Sequence, residues 1–157
     1  MRRKDREISD LSKIHGIIRK CYCCRVGFND CSEVYIVPLS FGFVEDKENG
    51  DTFYFHGAKE GRKVELIKKS NYVGFELDTN YKLNGGDFAC DYSARFQSVI
   101  GNGVISIVTD ENEKIKGLCA IMEQATGKKE WTFNSHMLQE VCVFKLVVQK
   151  ISCKEHC

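Results

Sequence analysis

The stretch EVYIVPLSFGFVE, residues 33–45, is a continuous run of mainly β-branched, aromatic and aliphatic side chains. DKENGD follows, and TFYFH returns. Residues of the first kind fit a pleated, half-buried surface. Asn49-Gly50 supplies the positive φ angles that a tight hairpin demands. The chain therefore turns back on itself here, and any fold it adopts must contain an antiparallel sheet. Pro38 inside the long run cannot donate a ladder hydrogen bond, which places it at a bulge or on an edge.

Periodicity extends this reading in both directions. Ile8, Leu11, Ile14, Ile17/Ile18 and Cys21 recur at helical spacing, with Ser9 or Asp10 able to cap, and predict an amphipathic helix over 9–20. CRVGF is a short strand and NDCS, residues 29–32, a turn. Val64, Leu66 and Ile67 give an apolar side to a short helix over about 60–69, and NYVGFELD is the next strand. Residues 79–87 are polar and read as a loop. SARFQSVIGNGVISIVTD is long enough for one or two strands, with Gly101 and Gly103 marking a bend. Asp110 and Glu113 form the Asp variant of a capping box for a helix to about Gln124, its residues Ile115, Leu118, Cys119, Ile121 and Met122 facing a core. ATGKKEWTFN is a loop and EVCVFKLVVQKI the final strand. Roughly six strands joined by hairpins, with peripheral helices, predict an α+β fold: an antiparallel sheet closed into a small barrel.

At 157 residues the chain suits a single domain spanning 1–157. A net charge of +1 argues against a nucleic-acid partner, whose phosphates would call for a surplus of Lys and Arg. No apolar run reaches the roughly 18 residues of a membrane-spanning helix, and the charged start MRRKDREISD is not a secretory signal. Nine cysteines, an odd number in a chain of this length, are expected to be reduced thiols in a cytoplasm.

The cluster Cys21, Cys23 and Cys24 lacks the second pair of ligands that a zinc site needs, and core packing is the simpler reading. Cys153, His156 and Cys157 read as a frayed tail. No metal site is expected, and no nucleophile motif surrounds any cysteine.

YFHGAKEGRK, residues 54–63, is the stretch that suggests chemistry. Two cations, Arg62 and Lys63, stand at a helix start that the backbone already makes electropositive. An anion held by free N–H groups and both side chains explains the arrangement; a solvated charge run is the plain alternative. His56 ends the preceding strand, and Gly57 lets the backbone pass close to a ligand.

MRRKDREI, YIVPLSFGF, FYFHGAKEGRKVELIKK and FQSVIGNG occur in this order along the chain and resemble successive motifs of the nitroimidazole-resistance (Nim) proteins, members of the flavin-binding split-barrel superfamily of pyridoxamine 5′-phosphate oxidase. The resemblance implies a six-stranded split barrel that forms a homodimer, with a flavin (FMN, or FAD) in each of two clefts between subunits. Carried over, the segment along the flavin ring is Val37, Pro38, Leu39 and Ser40, the strand-end pair is His56 and Gly57, and the phosphate pair is Arg62 and Lys63. A later-strand contact falls on Gln97 or Ser98, and Trp131 either covers the flavin or anchors its own loop. It further implies a reductase that passes electrons from reduced flavin to a nitro-aromatic or other small acceptor, with His56 as the catalytic proton donor or orienting group. The oxidase's substrate-binding Arg and His pattern near the C-terminus has no counterpart here. A flavin carrier without catalysis and a haem protein ligated through His56 or His136 are the competing readings.

Overall fold

The computed structural model describes residues 3–156. Eight strands form one antiparallel sheet. In chain order they are β1 (Glu7–Ile8), β2 (Cys24–Asp30), β3 (Glu33–Leu39), β4 (Gly42–Val44), β5 (Thr52–Gly57), β6 (Tyr72–Asn84), β7 (Ser93–Ile107) and β8 (Cys142–His156). The helices are α1 (Leu11–Ile18), α2 (Arg62–Lys69), α3 (Glu111–Thr126) and α4 (Ser135–Glu140). Along the sheet the order is β3-β2-β6-β7-β8-β5-β4, with β1 beside β8.

That order explains the barrel. β3 and β4 lie at opposite ends of the strand path, yet only Ser40 and Phe41 separate them in sequence. The sheet must curl until its two ends meet at this link, which leaves a split between them. The single strand expected over 33–45 is therefore broken at Ser40, where the chain crosses from one end of the sheet to the other. Pro38 lies on β3, an end strand, as expected of a residue without an N–H donor.

The main core fills the barrel and holds Phe41, Phe53, Phe55, Phe75 and Phe144. Cys21 and Cys24 belong to it, and burial pushes both thiols up. A second cluster, with Tyr54, Leu118, Ile121 and Val143, lies under α3 and α4 on the outer face of β5. α3 lies close against β4: a Cβ on Gly42 would stand 2.3 Å from the backbone N of Ile121.

Several local expectations change. α1 is shorter than 9–20, because Asp10 caps it by accepting from the Ser12 N–H at 2.9 Å. Residues 79–84 are not loop: β6 continues through a register shift at Thr79/Lys82 and pairs with the start of β7. β7 is one strand, its bend absorbed by a bulge at Asn102/Gly103. Asp110 accepts from the Glu113 N–H at 2.7 Å, but the Glu113 carboxylate meets Lys145 and Tyr54 instead of returning to the cap. The C-terminal segment is not frayed. Cys153 is fully buried, and His156 pairs with Phe96 in the ladder while its Nδ1 lies 2.7 Å from the Ala94 carbonyl. Pairing with β1 on one side and β7 on the other extends β8 through a polar sequence. Cys157 lies outside the described residues. Among the described residues no helix is long and apolar enough to cross a membrane.

Candidate functional site

Gly61, at φ 113°, opens α2 with no side-chain cap. Its carbonyl accepts from Val64 and Glu65, so the N–H groups of Arg62 and Lys63 have no acceptor within the helix. Val64, Leu66 and Ile67 bury one side of α2 against the barrel core and fix its position.

The two cations then part. Arg62 is exposed and donates to Asp30 Oδ2 at 2.9 and 3.1 Å and to Glu33 Oε2 at 2.7 Å, with its guanidinium 4.6 Å above the Tyr35 ring. It ties α2 to the β2–β3 hairpin. Lys63 turns inward, half-buried, with Nζ 4.7 Å from the centre of the Phe144 ring. A Cβ on Gly57 would stand 2.7 Å from that Nζ, so the glycine leaves the space that the ammonium fills. Lys63 has neither a carboxylate nor a hydrogen-bond acceptor among the described residues, and burial pushes its pKa below the ordinary 10.5. Lys114, Lys63, Lys68 and Lys59 all act electrostatically on the Cys142 thiol, which pairs across the ladder from Gly57; burial outweighs them and pushes that thiol up. The end of β5 is thus an electropositive recess whose innermost cation lacks a counter-ion.

His56 lies on the other face of β5. Strand alternation sets Phe53, Phe55 and Gly57 toward the barrel, and Tyr54 and His56 toward α3 and α4. The imidazole is exposed, has no hydrogen-bond partner among the described residues, and lines a cavity of about 200 Å³ with Leu118, Ile121, Phe133, Met137 and Val141. His136 is on exposed α4 and does not line it.

Val37, Pro38, Leu39 and Ser40 run along the end strand and into the link to β4. Val37 and Leu39 pack against the core, while Pro38 and Ser40 are exposed. Tyr35, two residues before Val37, is the point at which this strand meets α2 through Arg62. Gln97 and Ser98 are not brought to this place within one chain. Gln97 bonds Asn80 at 2.6 Å and Glu155, and Ser98 pairs with Asp78 and Lys154. Gly103 is level, through Val73, with Phe28 near the Arg62 end; at about 3.3 Å per residue, Gln97 lies roughly 20 Å further along β7. Trp131 donates from Nε1 to the Lys128 carbonyl at 2.8 Å, and Lys128 Nζ sits 4.8 Å over its ring, so the indole anchors its own loop.

The cavity beside His56 and α4 were missed in the sequence, although Leu118, Ile121 and Met122 were expected to face a core. α4 carries one legible signal, Asn134, whose side chain accepts from the His136 N–H at 2.8 Å as an N-cap.

Comparison with known proteins gives a consistent answer. Residues 10–155 match the family described as pyridoxamine 5′-phosphate oxidase. A crystal structure of a candidate 5-nitroimidazole antibiotic resistance protein from Bacteroides thetaiotaomicron is 30% identical, covers 95% of this chain and 86% of its own, and superposes with a TM-score of 0.81. The fold is also that of a flavocytochrome from Azotobacter vinelandii (18% identity, 100% and 72% coverage, TM-score 0.78). An FAD- and haem-binding protein from Mycobacterium smegmatis shares it as well (12% identity, 96% and 73% coverage, TM-score 0.82). No curated relative matches the sequence.

Proposed function

This chain belongs to the pyridoxamine 5′-phosphate oxidase family, on the branch that includes the nitroimidazole-resistance proteins, and from that premise we propose that it is a flavin-dependent reductase of small acceptors. The observation that carries the reading is Lys63, a half-buried ammonium without a counter-ion beside two unpaired backbone N–H groups. A half-buried charge is normally paired. A flavin phosphate fits: Lys63 and the N–H groups of Arg62 and Lys63 would hold it through charge-assisted bonds. Arg62 joins by turning from Glu33, which is inexpensive because both partners of that pair are exposed. FMN and FAD share this first phosphate.

The bound flavin would supply the electron pair. The chain supplies the rest. The exposed edge of Val37–Ser40 offers backbone groups to a ring lying along it. His56 offers a hydrogen-bond donor to the acceptor. The apolar wall opposite His56 excludes water from that contact. The cavity beside His56, about 200 Å³, is smaller than the roughly 300 Å³ at which drug-sized pockets begin, and far too small for a haem.

The protein acts as a homodimer in this reading. Val34 and Ile36 are 72% and 61% exposed on an end strand, an unpaired apolar edge that a monomer would leave open to aggregation. A second subunit covering that face would also bring Gln97 and Ser98 toward a flavin they cannot reach within their own chain.

The test is the visible spectrum of the purified protein, with any ligand released on denaturation identified by mass spectrometry. FMN or FAD in the released fraction supports the assignment. A colourless protein that takes up no added flavin at micromolar concentration sinks it. Anaerobic oxidation of the reduced holoprotein by a nitroimidazole then separates a reductase from a flavin carrier.

A further inference from the structure

Beyond the barrel the sheet narrows to two strands. Among the described residues β2 pairs with β6 only as far as Glu76, and β8 with β7 only as far as Phe96. Past those rungs β6 and β7 run on as an arm, held by the pairs Lys82 with Arg95, Leu83 with Ala94 and Asn84 with Ser93, and closed through a 3₁₀ turn at Ala89–Asp91. A two-stranded ribbon is marginally stable in water unless something packs on it. This one is apolar on its surface: Phe88 is 71% exposed and Tyr81 69%, with Leu83 and Tyr92 exposed as well. Its tip is ordered all the same. The Phe88 N–H donates to Asp91 Oδ2 at 3.1 Å, the Asp91 N–H to the Phe88 carbonyl at 3.0 Å, and the Tyr92 ring lies against Gly85. The charges of the arm, Lys82 and Arg95 against Asp87 and Asp91, cancel, so it offers nothing to a polyanion. An apolar protein surface is what suits it.

The outer face of the sheet carries such a surface. Ile36, Gly27 and Gly74 stand on one rung, and strand alternation puts Val34, Tyr72 and Ile100 on the same side, all of them exposed. Leu83, opposite Ala94, continues that side onto the arm. The two glycines leave a furrow bordered by Val34 and Ile36. Arg25 beside it is already met by Glu76 and Asp78 at 2.9 and 2.6 Å. Four apolar side chains on the arm and four on this face are exposed. At on the order of 100 Å² each they amount to roughly the 800 Å² that each partner of a stable complex buries.

We propose that the arm clasps a second copy of this chain, lying along the partner's outer face, and that it completes the partner's flavin site. Each arm grips the other subunit, which makes a closed, self-complementary pair. The completion of the site rests on the reading above. Gln97 stands at the root of the arm, its Oε1 accepting from Asn80 Nδ2 at 2.6 Å, and Tyr81 follows Asn80 in the chain. A two-fold arrangement that carries Gln97 to the partner's flavin therefore carries Tyr81 with it, and the phenol ring shields the cofactor from water.

Two double variants of the full chain test this, Tyr81→Ser with Leu83→Ser and Phe88→Ser with Tyr92→Ser. Leu11→Ser, at an exposed position on α1, is the control. Sedimentation equilibrium gives the dimer dissociation constant, hydrogen exchange gives the protection of residues 79–97, and fluorescence titration gives the affinity for FMN. The wild type should be a dimer whose arm amides lose protection on dilution. Each arm variant should raise the dissociation constant at least about 30-fold, and Tyr81→Ser with Leu83→Ser should bind FMN at least about tenfold more weakly, while Leu11→Ser changes neither. All four arm positions are exposed in the single chain, so its own fold does not depend on them; should one double variant fail to express, the other still decides. A monomeric wild type, arm amides that exchange alike at every concentration, or an unchanged dimer in the arm variants overturns the clasp. Weakened dimers that hold FMN as tightly as wild type overturn the completion of the site. Dimers lost in the arm variants of a protein that takes up no flavin sink the flavin reading and leave the clasp standing.

Discussion

Replacing Lys63 with Met separates binding from stability, because the same half-buried charge serves one and opposes the other. The Met side chain keeps the apolar stem against Phe144 and removes only the ammonium. In the flavin-free protein that ammonium has no partner among the described residues and its pKa is lowered by burial. The sign follows directly. A folded-state pKa below the ordinary 10.5 means that the unfolded chain binds the proton more tightly. The penalty is therefore fully present at neutral pH and fades as pH rises toward the unfolded value. Lys63→Met should leave the flavin-free protein at least as stable as wild type. In the holoprotein the balance reverses. A hydrogen bond to a charged group contributes about 1.5–3 kcal/mol net, so the variant should bind flavin roughly 10- to 150-fold more weakly. Flavin fluorescence titration gives the affinity, and thermal unfolding of flavin-free samples gives the stability. A variant that binds flavin within about twofold of wild type, and melts lower, would refute the assignment of Lys63 as the phosphate cation.

Glu33→Gln releases one of the two carboxylates that hold Arg62; stability should change by less than about 1 kcal/mol, and flavin should bind up to about fivefold more tightly, whereas weaker binding would show that Arg62 does not reach the phosphate. Gly42→Ala drives a methyl to within 2.4 Å of the Ala120 carbonyl carbon as well as the Ile121 nitrogen; backbone cannot move aside as a side chain can, so a loss of about 3 kcal/mol, or roughly 6–12 °C in melting temperature, is expected by calorimetry. Burial raises Cys21 from 9.0 to about 12, Cys153 to about 11 and Tyr54 from 10.0 to about 12. Folded values above unfolded ones stabilise fully below about pH 9, and that contribution is lost as pH climbs through 11 and 12; melting temperatures that stay flat between about pH 8 and 11 would contradict it.

Parts of this structure were legible in the sequence because they rest on local rules. The reversal between β4 and β5 with Gly50 at φ 91°, the position of Pro38 and the helix start at Arg62 follow from residues a few positions apart, although the reversal spans residues 45–51 and is not a tight two-residue turn. The long reach of β6 and β8 did not, because residues 79–84 and 151–156 are polar and become strand only through partners distant in the chain. His156 reads as tail until Phe96 and Ala94 are placed beside it. The candidate site divides in the same way. A glycine before two cations suggests an anion, but that Arg62 would find Asp30 and Glu33 while Lys63 found none depends on how the β2–β3 hairpin packs on α2. The cavity was hidden most completely, since Leu118, Ile121 and Met122 fit a core-facing helix equally well whether the space beside them is filled or empty.

The two halves of the proposed chemistry meet at one peptide bond. His56 pairs with Val143, and Gly57 with Cys142, so neighbouring rungs of the β5–β8 ladder face opposite sides of the sheet. On one side lies the Lys63 ammonium, against Gly57 and the Phe144 ring. On the other lies a cavity without a single charged wall. A strand alternates its side chains with period two, so no residue has to be displaced to keep the two environments apart. In the proposed reading the phosphate is held on the face that carries Lys63. A side chain in place of Gly57 would press on the Lys63 ammonium and crowd Phe144 at 3.4 Å, whereas His56 lines the cavity on the other face. The histidine and the glycine at the end of β5 thus set an imidazole and the Lys63 ammonium on opposite faces of one strand, so that the two can be substituted separately.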